Sequence, residues 1–158
     1  MPDPAVDAAG PEPAPLWRRL AAGLYDLLPT LAIFMSLGFF VTAARRFEPV
    51  PPGSVWFELL LLGAALVYYG ASWVHGGQTL GMRAWRLRVQ RRDGHALGWS
   101  GASLRFALAV LGIAALGAGL LWALIDTRRR MWHDLAADSE VILVPRPRAP
   151  RAPDRASS

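Results

Sequence analysis

Cysteine is absent from the 158 residues, and so is lysine: all seventeen basic side chains are arginines. The first absence excludes disulfides and thiolate metal sites. The second, beside abundant Ala, Gly and Pro, reads as a bias of genome composition. Charge is also missing from long stretches. Leu27–Ala44 and Phe106–Ile125 carry none, and Val55–Val74 carries only Glu58. Each stretch approaches the roughly 20 residues that span a hydrocarbon core. Three membrane spans are therefore expected, at about 20–44, 55–74 and 104–125.

What is present in quantity is apolar: 53% of the residues are hydrophobic, under a net charge of +5. A basic chain can serve nucleic acid, but only through a soluble basic face with base-contacting or stacking residues. Here the arginines flank apolar blocks, where they anchor and orient spans. The expected partner is the lipid bilayer and not nucleic acid. Tryptophan agrees with this reading. Trp17 precedes the first block, Trp56 and Trp73 bracket the second, and Trp99 and Trp122 lie about the third, as rings at headgroup depth do. Arg18-Arg19 and Val41-Thr42-Ala43 resemble the two ends of a cleaved signal. The apolar run exceeds the ~7–15 residues of a signal core, so retention as a helix is expected.

Residues 1–16 are rich in Pro, Ala and acid, and residues 145–158 in Pro and Arg. Neither stretch has a hydrophobic period, and both read as disordered tails around a membrane domain at 17–144. Between the second and third blocks, Leu87 and Val89 alternate with Arg86, Arg88 and Gln90 before Asp93-Gly94, which is a strand period. A three-residue loop, Arg92-Asp93-Gly94 with Gly94 left-handed, pairs Val89 with Leu97 and Leu87 with Trp99 in a surface hairpin. An interfacial helix from near Thr79 is the alternative. Farther on, Asp126 or Thr127 can cap a short helix through Asp134, and Val141–Val144 reads as extended. The fold class expected is an all-α integral membrane protein: three transmembrane helices, with that hairpin or interfacial segment between the second and third.

Three stretches carry a family resemblance: "RRLAAGLYDLL" (18–28), "GGQTLGMRAWRLRVQRRDGHAL" (76–97) and "LIDTRRRMWHDLAADSEVIL" (124–143). Together they resemble the RDD family of small membrane proteins, named for one arginine and two aspartates. Arg19 matches the arginine at the start of the first helix, Asp26 the aspartate within it, and Asp134 the second aspartate. Arg105, at the start of the third block, falls where the family tends to carry a basic residue. Two departures stand out. Met82 takes a place where members often have Lys, and Asp138-Ser139 one where many have Gly-Thr. The resemblance implies a polytopic protein of a prokaryotic plasma membrane, for which a transport role has been proposed.

Asp26 raises the sharpest physical question. A carboxylate at the centre of a membrane helix costs about 2.5–3.5 kcal/mol on insertion scales, and such residues face a bundle interior or water. Arg19 lies seven residues earlier, ~10 Å along the same face, and both side chains lean toward the helix start. Asp26 is therefore expected to pair with an arginine from another segment. Pro29, three residues on, frees a backbone carbonyl and favours a small polar pocket nearby.

With three crossings, eight arginines flank the N-terminal side (Arg18, Arg19, Arg83, Arg86, Arg88, Arg91, Arg92, Arg105) and five the other (Arg45, Arg46, Arg128, Arg129, Arg130). The excess puts the N-terminus in the cytoplasm. If the third block instead bends back, the balance becomes eleven against two, and Asp134 can join the site of Arg19 and Asp26. Three full crossings are the expectation, with the re-entrant path as the alternative.

His75, His95 and His133 sit on different segments without companions at ligand spacing, so no metal or other cofactor is expected. His133-Asp134 is accompanied by no nucleophile motif, and no enzyme is expected. Ala114, Ala115, Ala118 and Gly119 give two small-xxx-small spacings that allow close helix approach in a homo-oligomer. Two functions remain open. One is transport of an ion or small solute through an oligomer, with Asp26 at the polar site. The other is a non-catalytic assembly or accessory role with a membrane-protein partner, in which the Arg and Asp residues fix helix packing.

Overall fold

The computed structural model describes residues 13–115 and 131–144. The Asp126 and Thr127 cap, Ala118 and Gly119, Arg128 to Arg130 and most of both tails lie outside these residues. Helix α1, Leu16–Ala44, runs 29 residues, or ~43 Å, and continues unbroken through Pro29. It stops where Arg46 and Phe47 take positive φ angles ahead of Pro49, Pro51 and Pro52. Helix α2, Val55–His75, has Glu58 in its first turn, where a negative charge suits the helix dipole. Both helices are long and apolar enough to cross a membrane, with mean hydropathies of 2.0 and 1.5. The most apolar stretch of α1 buries none of its residues within the fold, unlike the core helix of a soluble protein.

Gly76 and Gly77 end α2. Gly77, at φ +66°, has no room for a side chain, since a Cβ would meet the Val89 carbonyl oxygen at 2.7 Å. The chain then makes a one-turn helix, α3 (Leu80–Ala84), whose cap Thr79 accepts a bond from the Met82 N–H. Strand β1 follows at Leu87–Arg91, helix α4 at Trp99–Ala114, helix α5 at Trp132–Ala136 and strand β2 at Ser139–Leu143. The surface segment is thus both a short helix from Thr79 and a strand.

The expected hairpin is half correct. The Arg91 N–H donates to the His95 carbonyl at 2.9 Å, and Gly94 is left-handed at φ +83°, as a three-residue loop requires. In that loop the His95 amide donates to the Asp93 carboxyl at 3.0 Å. This bond holds the acid below its usual range, with Arg91 adding to the effect. The ladder does not continue to Leu97 and Trp99. β1 pairs instead with β2, antiparallel, with Leu87 opposite Leu143 and Val89 opposite Val141. The stretch from His95 to Gly98 is too short to match β1 before α4 begins. Five alternating residues of β2 match it fully and place Val141 inward beside Val89. The sheet makes the fold mostly helical rather than all-α.

The sheet also claims part of the expected N-terminal tail. The Ala14 N–H donates to the Val141 carbonyl at 2.9 Å, Pro13 bridges Ile142, and Ala14 is buried. The ordered fold therefore starts ahead of residue 17. Ala14 joins Ala22, Trp73, Leu87, Val89, Leu97, Ala102 and Val141 in one core, which sits at the end of the helices marked by Arg19.

Asp138 precedes β2 at φ +45°, a left-handed position that glycine occupies without strain. Asp is one of the few other residues that tolerate it. Asp138 also pairs with Arg92 at 3.0 Å on the surface. Asp138→Gly in an Arg92→Gln background, where that pair is already gone, is expected to gain about 1 kcal/mol. Thermal unfolding in detergent measures this as a higher midpoint than Arg92→Gln alone.

Candidate functional site

Asp26 lies in the third turn of α1, 3% exposed. Its Oδ1 accepts from the Tyr68 hydroxyl at 3.0 Å and the Gly81 N–H at 2.8 Å, and its Oδ2 from the Thr79 hydroxyl at 2.5 Å. Because the Thr79 oxygen accepts from Met82, its own proton is free for Asp26. Every one of these partners donates to it. Among the described residues no arginine pairs with it, contrary to expectation. The reason is the close approach of α3. Its first-turn N–H groups have no helical acceptor; Thr79 takes one and Asp26, from another helix, takes the next. Gly81 makes the approach feasible, because a Cβ there would fall on the Ala22 carbonyl oxygen and 2.9 Å from the Asp26 Cγ.

The arginines gather instead on Asp134, which is fully buried. Arg105 Nη1 donates to Asp134 Oδ1 at 2.5 Å and to the Ser139 hydroxyl at 2.7 Å. Arg19 Nη2 donates to Asp134 Oδ2, as does the Met131 N–H at 3.0 Å. The Arg105 guanidinium also lies 5.2 Å from the centre of the Trp73 ring, within cation–π range. A carboxylate between two guanidiniums, held on both oxygens, forms a buried triad that joins α1, α4 and α5.

This placement corrects the path expected of the third block. A full straight crossing leaves Asp134 a hydrocarbon thickness, ~30 Å, from Arg19. The described helix of that block ends at Ala114, and by Met131 the chain is back at the Arg105 end. The alternative that brings Asp134 to the N-terminal site therefore holds. Arg19, Arg105 and Asp134 share one cluster, with Asp26 in a neighbouring one.

Both clusters open on a crevice of about 830 Å³ that has α2 behind it and α1 and α4 on its sides. Arg19, Asp26, Thr79 and Arg105 line one end, and Glu58 reaches its lining from the far end of α2. Thr30 and Tyr69 supply the polar pocket anticipated near Pro29, their hydroxyls 3.2 Å apart. Elsewhere the walls are apolar, as at Leu27, Phe34, Leu61 and Val110. Met82, at the place of the family's Lys, packs against the core and lines the crevice, so the Asp26 site has no cation from that position.

Sequence reasoning did not single out Tyr68, Gly81 or Ser139 as site residues. Tyr68 carried no signal within an apolar block. Gly81 and Ser139 lie within the stretches that resemble the family, and Ser139 stands at one of the departures from it. Its buried hydroxyl does what a Thr hydroxyl could do there, and meets Arg105.

Two spanning-length apolar helices, a shorter apolar helix and a small sheet locked by an Arg-Asp-Arg triad define a class that fits a membrane protein. Residues 13–138 match the model of the RDD family, and the chain belongs to that family. No curated protein and no solved structure matches it.

Proposed function

We propose that this chain is a non-catalytic, multi-pass protein of the plasma membrane with an assembly or accessory role. Its Arg and Asp residues fix helix packing at the cytoplasmic end. The carrying observation is that, among the described residues, both buried acids have their partners inside the fold. Asp134 is held by Arg19 and Arg105, and Asp26 by three donors. A site built to pass ions keeps ligand positions open for them, whereas a lock fills them. The orientation rests on arginine: among the described residues the Arg19 side carries eight and the other end two, Arg45 and Arg46, a balance that favours the Arg19 side as cytoplasmic.

Transport of an ion or small solute through an oligomer is the second reading. It is supported by the crevice that runs from the polar end toward Glu58, which a second copy could close into a passage. Asp26→Asn separates the two, because the amide keeps the shape but turns its NH2 either toward the Thr79 hydroxyl or toward the donors of Tyr68 and Gly81. In proteoliposomes carrying pH- and cation-sensitive dyes, lost flux with an intact folded oligomer supports transport. Loss of the folded protein, or a fold unchanged and no flux in the unsubstituted chain, supports the lock.

A further inference from the structure

Arginine outnumbers acid at the end of the fold that carries the sheet, and the imbalance is uneven. At the turn tip Arg91 pairs with Asp93 at 3.6 Å and Arg92 with Asp138 at 3.0 Å. Inside, Arg19 and Arg105 share Asp134. Among the described residues, Arg18, Arg83, Arg86 and Arg88 have no ion pair, and Arg18 rests on the Trp17 ring. Of these four, Arg83 lines a cavity. That cavity is a cleft of about 340 Å³ where the end of α2 meets α3, lined also by Tyr68, Ser72, His75, Gln78 and Leu80.

The cleft has a defined chemistry. Tyr68, Ser72 and His75 lie on one face of α2, and the Arg83 guanidinium lies beside Gly76 at the end of that helix, lining the same cleft. Its N–H fork is free for a phosphate, which it matches bidentately. The remaining wall offers acceptors. The Ser72 hydroxyl spends its proton on the Tyr68 carbonyl at 2.6 Å, leaving oxygen lone pairs. The Gln78 amide NH2 donates to the Leu87 carbonyl at 2.7 Å, leaving its own carbonyl oxygen. A phosphate whose substituent carries hydroxyl groups satisfies both halves.

Its depth suits a lipid. Aromatic side chains crowd this end of the helices: Trp17 and Tyr25 lie edge-on to Trp85 at 5.4 and 6.1 Å, and His75 meets Trp99 at 6.3 Å, an assembly characteristic of headgroup level. Leu80 stands at the lip of the cleft, 57% exposed, where an acyl chain begins. We propose that this cleft binds the headgroup of an anionic glycerophospholipid, with Arg83 as the phosphate ligand and Ser72 and Gln78 receiving headgroup hydroxyls. The proposal rests on the membrane reading above but on neither the lock nor the transport role.

The test measures lipid retained by the full chain, by native mass spectrometry after exchange into nanodiscs of phosphatidylglycerol mixed with phosphatidylcholine. The expected result is at least one phosphatidylglycerol kept in preference to phosphatidylcholine. Arg83→Gln is expected to weaken that retention about tenfold, ~1.4 kcal/mol. Arg83→Lys, with charge but no fork, falls between, and Arg92→Gln at the acid-paired tip changes it less than threefold. Glycerol phosphate alone is not expected to compete at millimolar concentration. Equal retention of the two lipids, an equal loss in Arg92→Gln, or competition by glycerol phosphate would overturn the assignment. Arg83 is exposed, and circular dichroism before exchange checks that its variants keep the fold.

Discussion

Asp134→Ala is expected to cost about 3–5 kcal/mol, the largest loss of any single substitution considered, because it leaves two guanidiniums without the acid they share. Arg19 and Arg105 have side-chain exposures of only 8% and 3%, so water cannot take its place cheaply. The variant should be largely unfolded or degraded in cells, and in detergent its melting midpoint should fall by many degrees. The informative comparison is Arg19→Met, Arg105→Leu and Asp134→Leu together. Removing the whole triad removes the stranded charges as well, and apolar replacement of a buried ionic group is often neutral or stabilising. The triple variant should therefore recover most of the loss. If it is as unstable as Asp134→Ala, the triad's hydrogen-bonding geometry, through Ser139 and Met131, matters more than its charge balance.

Much of this cluster could be read before any coordinates, and the limits of that reading are physical. Asp26 was legible because a charge inside an apolar block is costly enough to need a partner, whereas Arg19, Arg105 and Asp134 stood out through the resemblance to the RDD family. Which charge answers which was not legible. Arg19 and Asp134 are 115 positions apart, and no helical or strand period extends that far. Asp26 was assigned an arginine on the general expectation for buried acids. Its actual partners, a hydroxyl pair and a backbone N–H, depend on how closely two helices approach. The β1 alternation was plain, yet its partner was not, since pairing depends on where the chain returns after the third block. The same difficulty hid the return itself: twenty uncharged residues fit a crossing by length alone, and it takes Asp134 lying against Arg105 and Arg19, and β2 paired with β1, to show that the chain comes back.

Gly81→Ala carries the second large effect, and here the cause is space. The added methyl lands on the Ala22 carbonyl and beside the Asp26 carboxyl, backbone and buried acid that have no flexible end to swing away. α3 must lift off α1, and Asp26 then loses the Gly81 N–H and strains its bond to Thr79. Overpacking costs about 1–3 kcal/mol and hydrogen bonds to a charged acceptor about 1.5–3 kcal/mol, so a loss of ~3 kcal/mol or more is expected. Gly23→Ala is the matched control, since nothing lies within 4 Å of the position and the exchange favours the helix by up to about 1 kcal/mol. Opposite shifts of the two midpoints would tie the stability to the α1–α3 contact. A mild Gly81→Ala phenotype would mean that α3 is not seated on α1 as described.

The wide separation of Arg105 and Arg19 from their shared acid sets an order of events during synthesis. The ribosome makes both arginines, and the whole of β1, well before it reaches Asp134 and β2. Until then an emerging chain lacks the acid that both arginines share in the finished fold, and carries a strand edge without a neighbour. Closure of the triad and the sheet therefore marks completion, and a chain stopped before Met131 has neither.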